Sequence, residues 1–209
     1  MKIKHALLTA TLLIGASGLA AAQSMSPMSG GSMSSGSMSN GAMSSNMASD
    51  PMVGGAAMYP TKNIIQNAVN SKDHTTLVAA VKAAGLVDTL EGPGPFTVFA
   101  PTNEAFAALP AGTVDTLLKP ENKATLTKIL TYHVVAGHYD INDLKALIAK
   151  GNGKAMLPTV AGPDLTFTDT PNGMIDVTDA KGDVAAITIP DVNQSNGVIQ
   201  VINKVLLPG

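Results

Sequence analysis

FTVFAPTNEAFAALP, residues 96–110, sets a strand directly against a helix start. Phe96 to Ala100 is a short apolar run bounded by Pro95 and Pro101, the pattern of a buried strand between breakers. Thr102 is suited to cap the helix that follows through Leu109, because its hydroxyl can accept from a free amide of the first turn. Glu104 lies in that turn, where the peptide dipoles favour negative charge.

Working outward, TKNIIQNAVN (61–70) and HTTLVAAVKAAGL (74–86) place apolar residues at helical spacing, and Gly85 suits a C-terminal cap. Pro120 and Glu121 open a helix over ENKATLTKILT (121–131), which runs into a strand at YHVV (132–135). In DINDLKALIAKG (140–151), Asp140 caps and Asp143, three residues on, completes a capping box; Gly151 stops that helix. Beyond it the period changes to alternation. LTFTDT (165–170), MIDVTDA (174–180), DVAAITI (183–189) and VIQVINKVLL (198–207) read as strands separated by turn signals such as Pro171-Asn172-Gly173. Helices come first and antiparallel strands follow, with FTVFA and YHVV joining the sheet, so the pattern predicts an α+β fold.

The chain has 209 residues and no cysteine, which removes disulfides and thiolate chemistry. Residues 1–22 have the parts of a secretory signal: Lys2 and Lys4, an apolar run from Ala6 to Ile14, and the small residues Ala20 to Ala22. With no cysteine after the cleavage site, a lipid anchor there is not expected, and no later segment is apolar enough to span a membrane. The expected product is secreted or periplasmic. Arginine is absent, and no basic patch replaces it, so a nucleic-acid role is not expected.

Residues 23–58 contain eleven serines and eight methionines among glycines, with Asp50 as the one charge. The methionines fit neither a helix face nor a strand face, and the segment reads as a disordered linker ahead of a domain over 59–209. Thioether sulfur is a soft ligand, so Met25, Met28, Met33, Met38, Met43, Met47 and Met52 offer a second reading, copper handling by the linker.

The domain is poor in catalytic groups. Its two serines, Ser71 and Ser195, lie in no nucleophile elbow, and it has no glycine-rich phosphate loop, so enzymatic activity is not expected. TYHVVAGHY (131–139) concentrates His133 and His138, but residues five apart on a continuous strand face opposite sides, and His74 is the one other histidine of the domain. No metal site and no cofactor are expected. His133 reads as buried at a strand start and bonded to nearby backbone, and His138 as lying in a solvated turn.

FTVFAPTNEAFAALP resembles the first signature box of the fasciclin domain, and NGVIQVINKVLLP (196–208) resembles the second. TYHVVAGHY, between them, is similar to the family's Tyr-His segment. The resemblance covers about residues 59–209 and departs where the family usually has histidine at Gln200 and aspartate at Asn203. It implies a wedge-like β-sandwich flanked by helices and a non-enzymatic adhesion or matrix-interaction module that binds cell-surface or matrix protein or polysaccharide, with self-association a further option. The positions it implies for partner binding are Tyr132, His133, Asp191 and Val192. It also leaves a rival open, a carrier of a small apolar, carotenoid-like ligand, although with no tryptophan, four phenylalanines and three tyrosines an aromatic-lined pocket is poorly supplied.

Overall fold

The computed structural model describes residues 50–209. Met52–Val53 (β1) pairs antiparallel with Ala56–Ala57 (β2) across the Gly54-Gly55 turn, and Val53 and Met58 bury their side chains in the core. The folded domain therefore starts before Tyr59, and the end of the 23–58 segment is packed rather than linker. Two apolar anchors suffice to dock a hairpin, and a composition average over glycine and serine conceals them. The signal pattern and Met25 to Met47 lie outside the described residues.

The helical half comprises α1 (Ile64–Ala68), α2 (Thr75–Ala84) and α3 (Val87–Glu91), followed by strand β3 (Phe96–Pro101), then α4 (Asn103–Ala107), α5 (Thr113–Leu117) and α6 (Lys123–Tyr132). Next come β4 (Val134–Ala136), α7 (Ile141–Lys150), β5 (Lys154–Pro158), β6 (Asp164–Asp169), β7 (Ile175–Thr178), β8 (Val184–Gln194) and β9 (Gly197–Ile202). The anticipated caps form. Thr102 Oγ1 accepts from the Ala105 amide at 3.3 Å. Asp140 accepts from the Asn142 and Asp143 amides, both at 2.8 Å, and Asp143 accepts in return from the Asp140 amide. Gly85 ends α2 with a left-handed φ of 73°.

Seven strands form one sheet in the order β4-β3-β9-β8-β7-β6-β5. All neighbours are antiparallel except β3 and β9, which run parallel from Phe96↔Gly197 to Pro101↔Ile202. The long strand β8 serves both halves: Val184 to Ala186 pair with β7, and Ile187 to Gln194 pair with β9 across two register shifts. Such irregularities bend a strand and raise its twist. An isolated bridge, Val135↔Thr159, brings the far edge beside β4, so the sheet is nearly closed and has the wedge form that the resemblance implied.

Two apolar cores lie on opposite faces of the central strands. Val98, Ala100, Ile199 and Val201 pack beneath helices α1, α2 and α6 with Leu77, Val81, Leu126 and Leu130. Phe99 and Ile202 face the interior of the wedge with Phe167, Leu165, Ile175, Val177 and α7's Leu144 and Ile148. Burial on both faces explains why FTVFA is apolar at every position but Thr97 while β6 and β7 alternate.

Buried amides join the termini of the domain. Asn67 is fully buried; its Nδ2 donates to the Tyr59 carbonyl at 2.7 Å and to Oε1 of Gln194, while Oδ1 accepts from the Tyr59 amide at 3.1 Å. Asn196 accepts from the Ile64 amide and donates to the carbonyls of Leu90 and Gly92. The β8–β9 turn is thus pinned to α1 and α3.

Candidate functional site

The Tyr-His segment straddles the junction of α6 and β4. Tyr132 is the last residue of the helix and is fully buried. Its hydroxyl donates to the Asp164 carbonyl at 3.1 Å and accepts from the Ala180 amide at 2.9 Å, linking α6 to the β6 and β7 ends. Burial, the largest influence, raises its pKa. His133 caps the helix and is 2% exposed. Its Nδ1 donates to the Ile129 carbonyl at 2.9 Å, and its Nε2 accepts from the Leu206 amide at 3.0 Å. A carbonyl on one side and an N–H on the other select the neutral Nδ1–H tautomer. Burial pushes its pKa down to about 4.

Asp191 and Val192 lie on β8, at the other end of the cluster. Val192 is fully buried. Asp191 is half-buried and takes a left-handed φ of 56°. Its Oδ1 accepts from the Ile141 amide at 2.8 Å, at the start of α7, and from Gln200 Nε2 at 2.9 Å. Gln200 completes the exchange: its Oε1 accepts from the Asp191 amide at 3.1 Å, and Nε2 also donates to the Tyr139 carbonyl at 3.2 Å. Thr97 fixes the same loop, donating to the Gly137 carbonyl at 2.8 Å and accepting from the Tyr139 amide at 2.9 Å. Both departures from the family pattern therefore keep a hydrogen-bonding role, since Asn203 Oδ1 accepts from the Ala186 amide at 2.8 Å.

Of the four residues implied for partner binding, Tyr132, His133 and Val192 point into the core, and Asp191 alone reaches solvent in part. Asp191 and its partner Gln200 border a surface. His138 and Asn193 are exposed there, with His138 Nε2 3.2 Å from Asn193 Oδ1. Beside them a shallow groove is lined by His138, Tyr139, Asp143, Leu147 and Lys150. Asn193 and Gln200 carry no sequence signal of proximity to residues 137–141; only the pairing of β8 with β9 and the left-handed turn at Asp191 bring them there. Among the described residues, no group of three or more histidines or acids gathers as a metal site.

The seven-stranded, nearly closed sheet, its helical layer and the buried Tyr-His corner define a fasciclin-type module. The chain belongs to the fasciclin domain family, whose model matches residues 72–208. Protein sll1483 of Synechocystis is 48% identical over 159 residues, covering 75% of this chain and 79% of that protein. The cell surface glycolipoprotein MPB83 of Mycobacterium bovis is 35% identical over 162 residues, covering 78% of this chain and 62% of its own length. Among solved structures, the FAS1 domain pair of the insect cell adhesion molecule fasciclin I matches with a TM-score of 0.63 at 20% identity. That match covers 70% of this chain and 51% of the pair, so the chain spans about half of it.

Proposed function

We propose that the protein is an exported, non-enzymatic interaction module that binds a cell-surface or matrix protein, or a polysaccharide, through the surface formed by residues 137–143 and 191–193. The observation that carries this reading is the Gln200–Asp191 exchange, which ties the loop around Tyr139 to strand β8 in one face bearing His138 and Asn193. A preorganised surface loses less conformational entropy on binding than mobile loops do. In this reading Tyr132, His133 and Val192 support the face from the core, and Asp191 supports it and borders the contact. Export rests on the signal pattern of residues 1–22, and family membership supports an extracellular role. Among the described residues no helix is long and apolar enough to cross a membrane.

The test is chemical crosslinking of the exported protein on intact cells of the producing organism, followed by capture. The native chain should recover a surface protein or polysaccharide. A His138→Ala/Asn193→Ala double variant with an unchanged melting temperature should not. Recovery of the protein alone would replace this reading with self-association, and a stoichiometric visible chromophore would replace it with the carrier role.

A further inference from the structure

Between helices α1 and α2 and the β3–β9 face lies a cavity of about 80 Å³ that the interaction surface does not use. Ile64, Ile65, Leu77, Val81, Val98 and Ile199 form much of its wall. Protein interiors leave few voids larger than one water, and a water needs only about 10–15 Å³ by this measure. This void has room for several waters, yet its wall is almost wholly apolar, and such cavities stay dry. Exposed Thr89 and Val160 also line it, so it communicates with the surface.

Of the polar side chains in this wall, His133 has partners on both ring nitrogens, and Ser71 and His74, both buried, form a pair of their own. Ser71 Oγ is 2.9 Å from His74 Nδ1. Among the described residues the Ser71 hydroxyl has no other acceptor, so it donates to Nδ1 and leaves the proton of the neutral ring on Nε2. His74 Nε2 is the one buried side-chain nitrogen or oxygen among the described residues without a hydrogen-bond partner. The nearby Ala100 carbonyl favours a proton on the ring but does not meet hydrogen-bond geometry. Leaving a buried donor unpaired is costly, and a ligand oxygen would satisfy it. Among the described residues no lysine, aspartate or glutamate lines the cavity, so a charged ligand would enter without a counter-ion.

We propose that this cavity binds a small uncharged apolar molecule with one oxygen acceptor, an alcohol or ketone of about three to four heavy atoms, whose oxygen accepts from His74 Nε2. The size follows from comparison with an apolar cavity of roughly 150 Å³ that binds benzene. The volume suits a few carbon atoms and not a long polyene.

The test is a methyl and histidine NMR titration of the full chain with propan-2-ol, propane and acetate. Propan-2-ol should give saturable shifts at Ile65, Leu77 and Val81 and move the His74 Nε2 resonance. Propane, which lacks the oxygen, should bind about tenfold more weakly, the equivalent of one net hydrogen bond. Acetate should not bind. In His74→Leu, propan-2-ol should bind no better than propane. Absence of saturable shifts, equal affinity for propan-2-ol and propane, or an ordered water at Nε2 that propan-2-ol does not displace would each overturn the site. The three-ligand comparison in the unaltered chain stands even if His74→Leu fails to fold.

Discussion

The Leu206 amide donates to His133 Nε2 at 3.0 Å, so the C-terminal run after β9 is held by a ring at the end of α6. The bond requires a neutral imidazole, because a protonated Nε2 has no lone pair to offer.

Stability should therefore depend on pH in one direction. The folded pKa of His133, about 4, lies below its ordinary value of 6.5. The contribution is fully present above about pH 6.5 and is lost as pH falls toward 4. The shift corresponds to about 3 kcal/mol. Urea unfolding at pH 7, 5.5 and 4 should show this decline, and His133→Gln should flatten it. A residual slope of the same sign should come from His74, whose pKa burial also lowers. A native chain equally stable at all three values would contradict the assignment.

Tyr132→Phe keeps the ring but leaves the Asp164 carbonyl and the Ala180 amide without their side-chain partner. The expected loss is about 1–3 kcal/mol, with the folded spectrum retained. Tyr132→Ala also opens a cavity and should cost about 3–5 kcal/mol. Denaturant midpoints distinguish the two; a Phe variant as stable as the native chain would show that the hydroxyl has no structural weight.

Asp191 combines a left-handed backbone with an acceptor for the Ile141 amide. Asn tolerates that backbone and keeps an acceptor, so Asp191→Asn should cost less than about 1 kcal/mol. Asp191→Val loses the acceptor and adds a β-branched side chain at positive φ, for about 2–4 kcal/mol. Similar unfolding midpoints for the two variants would refute this ordering.

Gly197 opens β9 against β3, and a Cβ there would sit 2.0 Å from the Phe96 carbonyl oxygen. Backbone on both sides prevents relief, so Gly197→Ala should cost at least about 2–3 kcal/mol. A thermal melt checks this, and an unshifted midpoint would mean that the two strands separate freely.

The elements legible in the sequence were those with local causes. Thr102, Asp140 with Asp143, and Gly85 each act within a few residues of the helix end they define, and Phe96 to Ala100 declares burial by its own composition. β5 is not legible because its exposed Met156 breaks the alternation of apolar and polar residues and Pro158 closes it. α3 and α5 are five residues each and lack a side-chain cap bond, so they depend on packing that one segment does not display. The proposed interaction face was legible only in part. Asp191 was among the positions that the resemblance implied, whereas His138, Asn193 and Gln200 meet through strand pairing across more than fifty residues. Ser71 and His74 had a weak local signal in their three-residue spacing, but their burial beside a cavity is a tertiary fact.

The Asn67 clamp has a mechanical meaning. Gln194 adjoins Asn193 on the proposed binding face, and Asn67 ties it to Tyr59, next to the entry hairpin of the domain. A load applied between that entry and a partner gripping Asn193 has a short route through these side-chain amide bonds. Along that route the sheet is bypassed, and the seven strands need not part for the grip to transmit force. Asn67 is then the first link to take up tension between the entry of the module and that face.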